Sequence, residues 1–190
     1  IAGYDKWSES ECDGCGECVQ LCPTGALVEK PHRNELHVEK LDNKVQTTCP
    51  YCGVGCQLEL WVKDNRIVRS NGFEGFSPND GRLCVKGRFG YEFVQSYLRL
   101  TKPLIRHNGK FVESSWDDAI ELIAGKFTEI VAKYGPDAVA GYSSAKCTNE
   151  DNYLFQKFMR TVIGTNNIDY CTRLCHASTV TAMLKSIGDG

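Results

Sequence analysis

Cys49-Pro50-Tyr51-Cys52-Gly53-Val54-Gly55-Cys56 runs directly into Gln57-Leu58-Glu59-Leu60-Trp61-Val62. The first stretch places three thiols on a tight turn. The second alternates apolar and polar side chains as a half-buried strand does. Together they predict a small β-rich domain built around a ligand loop. Asp64-Asn65 then turns the chain back into Arg66-Ile67-Val68-Arg69, a predicted hairpin. The stretch from Asn71 to Arg82 is rich in Gly, Asn, Asp and Pro and reads as a loop that returns Cys84 to the other three thiols. Gly53 and Gly55 suit turns whose backbone amides must face the sulfur atoms of a bound group, where side chains would block the approach.

Cysteine spacing says what that group is. A 4Fe–4S cube needs four soft thiolates converging on its corners, and a tight loop can supply three of them. Cys49, Cys52, Cys56 and Cys84 have this spacing. Cys12, Cys15, Cys18 and Cys22, with Pro23 next, match the bacterial ferredoxin run C-x2-C-x2-C-x3-C-P. Zinc competes for the later quartet because C-x2-C…C is also finger-like. The Gly-Val-Gly-Cys turn and the 28-residue step from Cys56 to Cys84 favour iron and sulfur. A disulfide framework is disfavoured, since C-x2-C repeats followed by Pro point to metal. In two-cluster ferredoxins the fourth cysteine of such a run serves the other cluster. Cys22 has no partner run in these 190 residues, and Ile1 stands where an initiator Met would, so the chain is expected to be a fragment.

The two quartets occupy the first 84 positions, a cluster-rich front end ahead of a more conventional back end. A net charge of −2 leaves no electrostatic footprint for nucleic acid. No apolar run approaches the roughly 20 residues of a membrane span. Residues 1–7 lack the basic-then-apolar order of a signal peptide, and a cytoplasmic location is expected. The expected class is α+β and multi-modular. Residues 1–30 form a partial ferredoxin-type module, 31–46 a charged connector, 47–103 the second cluster domain, and 104–190 the start of an α/β domain. His32 and His37, in the connector, read as exposed polar side chains.

In the back end, Ser114 or Ser115 caps a predicted helix over 116–133, with Ala119, Ile120, Ile123, Phe127, Ile130 and Val131 on one face. Gly135-Pro136 ends it. Residues 137–142 read as a buried strand, 150–162 as a second helix, 168–170 as an extended piece, and another helix starts near Ala177. This alternation is that of a doubly wound layer. The phosphate fingerprint G-x-G-x-x-G is absent, which argues against a simple nicotinamide-binding unit. Attention falls on Tyr170-Cys171-Thr172-Arg173-Leu174-Cys175-His176, because ligands gather at the carboxyl ends of strands in such sheets. A thiolate there can bind a transition metal, and a neighbouring imidazole can hold a proton. Cys147 and Cys171 read equally well as small hydrophobes.

At this point a family resemblance becomes specific. Cys49 to Cys84, followed by Val85-Lys86-Gly87-Arg88, resembles the 4Fe–4S domain of molybdenum- or tungsten-dependent pterin oxidoreductases. Gly164-Thr165-Asn166-Asn167-Ile168-Asp169-Tyr170, continuing to His176, is similar to the active-site segment of the formate dehydrogenases in that superfamily. The resemblance implies that Cys175 occupies the metal-ligating position, that His176 is the catalytic histidine, and that Lys86 bridges pterin and cluster. It also implies Mo or W held by two pterin guanine dinucleotides and reversible two-electron oxidation of formate to CO2. His176 would accept the proton or shape the pocket around a transferred hydride. Electrons would pass Lys86 to the Cys49/52/56/84 cluster, then to the Cys12/15/18 cluster, and leave to a flavin/NAD, ferredoxin or hydrogenase type of partner. The family's formate-binding arginine and most of its pterin contacts lie further downstream, so these residues alone are expected to be inactive. The competing readings are the cluster-bearing subunit of an NADH dehydrogenase or hydrogenase, a nitrate reductase, or an electron carrier without catalysis. The Cys175-His176 pair favours formate.

Overall fold

Strand β2 (Gln57–Lys63) is the middle of a three-stranded antiparallel sheet, between β1 (Asn43–Thr48) and β3 (Arg66–Gly72). The structure is a computed structural model that describes residues 9–30 and 41–188, so His32 and His37 lie outside the described residues. Asp64 and Asn65 both take positive φ, 51° and 57°, which the two-residue turn of a β2–β3 hairpin requires. On β3, Val68, Ser70 and Gly72 point inward in strict alternation. On β2 the period breaks. Leu58 and Trp61 are both buried although three residues of unbroken register put them on opposite faces, and a register shift follows between Trp61 and Val62. The Trp61 ring is sandwiched by cations, Lys44 at 4.4 Å and Arg69 at 5.1 Å from its centroid.

Residues 43–46, assigned to a connector by their polar composition, are part of β1 and pair with β2 from Asn43↔Val62 to Thr48↔Gln57. All six β1 side chains are exposed. Backbone pairing at a sheet edge makes this strand, so no apolar alternation announces it. The core beside the sheet is Cys49, Leu58 and Leu83, with Tyr51, Cys56 and Leu60 packed on it. Two short helices, α1 (Glu17–Leu21) and α2 (Val85–Phe89), complete this unit, which extends to Arg99.

The second unit begins at Leu100. It opens with a hairpin of β4 (Leu104–His107) and β5 (Lys110–Glu113) around Asn108-Gly109, both at positive φ. Helix α3 (Trp116–Tyr134) starts at Ser115, whose hydroxyl accepts the Asp118 amide at 3.1 Å. The helix turns Phe127, Ile130 and Val131 onto a core of Val139, Met159 and Ile163. The expected strand over 137–142 is shorter. Pro136–Ala138 forms a 3-10 turn closed by Val139 N–H donating to Pro136 O at 3.1 Å; Val139 leaves it extended, and sheet pairing begins only at β6 (Gly141–Ser143). This strand pairs in parallel with β7 (Ile168–Tyr170). Between them runs α4 (Asn149–Phe158), capped by a Thr148–Asp151 box and continued by a wider turn over Met159–Ile163. Helices α5 (Thr172–Cys175) and α6 (Ala177–Ile187) follow β7. Among the described residues no helix is long and apolar enough to cross a membrane.

Candidate metal centres and active site

The turn that carries Cys49, Cys52 and Cys56 is closed by Cys49 N–H donating to Cys56 O at 2.8 Å. Cys49 is buried, Cys52 and Cys56 are half-buried and Cys84 is exposed. Burial pushes the Cys49 and Cys56 thiols up, and the charges of Cys52 and Cys84 push both further. Lys86 opposes this at Cys49. The four sulfurs therefore share one electrostatic neighbourhood, although Cys84 comes from a distant loop. Among the described residues, no three His, Cys, Asp or Glu side chains gather closely enough to grip a single ion. A cube spreads its ligands over four iron corners, so thiols that sense one another across a gap suit it.

Asn79 delivers Cys84, and sequence reasoning missed it. Its side chain accepts Gln57 N–H at 2.7 Å and donates to Gln57 O at 3.0 Å and Arg82 O at 2.8 Å. It thus ties the returning loop to the residue after Cys56, and Leu83, buried beside Cys49, seats the next position. The signal available was Pro78-Asn79-Asp80-Gly81, a turn sequence in which Asn serves the backbone. Asn79→Ala is expected to destabilise this unit by about 2 kcal/mol, because three backbone groups, two of them half-buried, lose their partner. Faster loss of iron to a chelator from the full-length protein is the corresponding measurement.

In the front-end run, Cys12 and Cys15 are exposed while Cys18 and Cys22 are half-buried. Gly14 N–H donates to Cys12 Sγ at 3.4 Å. The Cys22 thiol is brought down to about 7, by the Thr24 hydroxyl first and then by amides of Leu27, Thr24 and Ala26. Donors aimed at sulfur are what a thiolate ligand needs. The groups that Cys22 meets belong to its own loop.

In the second unit, Cys175 ends α5 and His176 joins α5 to α6, just beyond the carboxyl end of β7. Both side chains are exposed. Their backbone is fixed: Cys175 N–H donates to Cys171 O, and His176 N–H to Thr172 O, each at 2.9 Å. Asp169 is paired with Arg173, whose hydrogen bond, with that of the Tyr170 amide, holds its carboxyl below the usual range. The pair braces the turn that presents Cys175. Cys171 has another task, accepting Ala145 N–H at 3.2 Å and so joining the loops after β7 and β6. Beside this turn lies a cleft of about 410 Å³, lined by Ser143, Asn149, Asn152, Gln156, Ile168, Asp169 and Tyr170. Its amides and hydroxyls suit a polar cofactor. The α5 turn and these amides were not anticipated, since a four-residue helix shows no periodicity.

Residues 99–188 match the molybdopterin oxidoreductase family, 42–96 the molybdopterin oxidoreductase Fe4S4 domain, and 5–28 the 4Fe-4S binding domain. The chain belongs to the molybdopterin oxidoreductases. Curated relatives include the alpha subunits of F420-dependent formate dehydrogenases 1 and 2 of Methanococcus maripaludis, each 51% identical over 146 residues. Those matches take in 77% of this chain and 21% of each relative. The chain thus spans about a fifth of the length of these oxidoreductases. Acetylene hydratase from Pelobacter acetylenicus shares the fold, with a TM-score of 0.56 over 75% of this chain and 20% of that one, at 23% identity. As a molybdopterin oxidoreductase with both cluster domains, the protein uses 4Fe–4S clusters and a Mo- or W-pterin cofactor.

Proposed function

We propose that the protein oxidises formate reversibly to CO2 and passes two electrons, one at a time, through its two cysteine quartets. The observation that carries this reading is the Cys175–His176 pair at the end of β7, in a chain whose relatives are named formate dehydrogenases. Cys175 is the thiolate that would hold the metal, on a turn whose amides and Asp169–Arg173 pair keep it aimed outward. When bound, a Mo- or W-bis(pterin guanine dinucleotide) supplies the two-electron redox chemistry. Oxidation of formate to CO2 releases one proton with the two electrons. His176, exposed and adjacent to the ligand, is placed to hold that proton at its imidazole. Lys86, in the first turn of α2, puts a positive charge beside the Cys49/52/56/84 quartet and favours the electron-rich state of a cluster there. Cys12, Cys15 and Cys18 would hold the outgoing cluster, and Cys22 would serve a further one.

Metal analysis of the full-length protein, with an anaerobic dye assay, tests this reading. Formate-dependent dye reduction by protein containing iron together with Mo or W is the expected result. Iron without Mo or W identifies an electron carrier. Turnover of nitrate without formate identifies a nitrate reductase. The same assay compares NAD, ferredoxin and F420 as acceptors, the last because two relatives are named for it.

A further inference from the structure

Arg88 is the most buried charged side chain among the described residues of the unit, 1% exposed, and each of its three guanidinium nitrogens donates to the front-end module. Nε donates to Cys15 O at 2.8 Å, Nη1 to Gln20 Oε1 at 2.6 Å, and Nη2 to Glu17 Oε2 at 2.7 Å. Its own N–H donates to Cys84 O at 3.1 Å, and the preceding Gly87 O accepts the buried Ser70 hydroxyl at 2.8 Å. One residue therefore touches the ligand loop of the first quartet with its side chain and the last ligand of the second with its backbone. Gln20 completes the joint. It donates to Gly72 O at 3.3 Å and Gly81 O at 3.1 Å and accepts Gly72 N–H at 2.9 Å. The approach is close enough that a Cβ on Gly16 would run into Arg88 Cδ and the Phe89 ring, and Gly16 has a φ of +75° besides.

Burying a guanidinium is a costly way to join two surfaces. Desolvation cancels much of the attraction, and an apolar contact of equal size often serves stability as well. What the planar fork adds is geometry, because three donors in fixed directions set distance and angle together where an apolar contact could slide. We propose that Arg88 is a positioning residue of the electron relay, setting the separation and orientation of the Cys12/15/18 cluster relative to the Cys49/52/56/84 cluster. This rests on the relay proposed above. The step it serves is a single electron leaving the reduced second-quartet cluster for the oxidised front-end cluster, with no bond made or broken. Its rate depends steeply on separation, which gives a fixed joint its value.

The test uses the complete enzyme with Arg88→Met, which keeps the length of the stem and removes every donor, and Arg88→Lys, which keeps the charge and loses the fork. Dithionite reduces both clusters whatever the substrate is, so their magnetic coupling in the electron paramagnetic resonance spectrum reports separation independently of formate chemistry. Weakened or heterogeneous coupling at unchanged iron content is expected. Formate-driven reduction of the front-end cluster is expected to slow by about tenfold or more, since misplacement by an ångström can cost a reaction up to about a hundredfold. Parental coupling in either variant that retains both clusters overturns the proposal. So does loss of the front-end cluster in Arg88→Met if Arg88→Lys is parental. Failure of the formate reading would show separately, as an unmodified protein without formate-dependent dye reduction but with coupled clusters.

Discussion

Cys175→Ala in the complete enzyme is expected to lower formate oxidation by about a thousandfold or more while leaving iron content unchanged. A metal-bound transition state draws several kcal/mol from correct ligation, and each 1.4 kcal/mol or so is worth about tenfold in rate. Iron stays because all eight quartet cysteines precede Arg99, in the other unit. Cys171→Ala is the matched control. It removes a sulfur four residues away that accepts one amide hydrogen bond, and it is expected to cost about 1 kcal/mol of stability with turnover near parental. Parental formate oxidation by Cys175→Ala would remove the active-site assignment altogether.

Gly72→Ala is expected to have the largest effect on the cluster domain. Gly72 ends β3 against the loop that returns Cys84, and the two backbones are nearly in contact. An added Cβ would fall within the Gly81 carbonyl group and 2.9 Å from Gly81 Cα. These are backbone atoms, so nothing can swing aside. Relief requires separating β3 from the loop, which breaks the Gly81 N–H bond to Phe73 O and the bonds from Gln20 to both glycines. Overpacking of this kind costs about 3 kcal/mol, and loss of the buried hydrogen bonds adds to it. The variant should lose iron from the second quartet and unfold at clearly lower temperature. Gly75→Ala in the same loop meets open space and carries only the strain of φ +76°, so a penalty of about 1 kcal/mol is expected there. Equal behaviour of the two variants would show that close approach at Gly72 is unimportant.

Different physical signals account for what could be read in advance. The ligand quartets were legible because cluster chemistry dictates spacing along the chain itself. Strand β2 was legible through Leu58 and Leu60, and α3 through its apolar stripe. Strand β1 was not, since Asn43–Thr48 buries no side chain and depends on a partner strand. The β4–β5 hairpin carries a turn signal in Asn108-Gly109, but its flanking strands are only four residues long and largely exposed, so no apolar alternation supports it. The start of β6 is less legible, because Asp137 and Ala138 precede an apolar run, while Gly135-Pro136 winds them into one more turn and strand pairing waits until Gly141. In the site, Cys175 and His176 stood out by motif. The clamps around the metal centres did not. Asn79 reaches back 22 residues and Arg88 reaches back 68 to Gln20, and no local period links such positions.

The joint at Arg88 bears on how such enzymes can be recombined. A designer cutting at the polar stretch before β1 would treat the front-end module as a cassette, to be exchanged for one with another acceptor. The true seam runs elsewhere, through Gly16, Glu17 and Gln20 on one side and Gly72, Gly81 and Arg88 on the other. A transplanted module lacking a small residue and the paired amide and carboxylate at those places would meet a buried, unsatisfied guanidinium. The portable part is then the whole unit through Arg99, with its seam carried inside it.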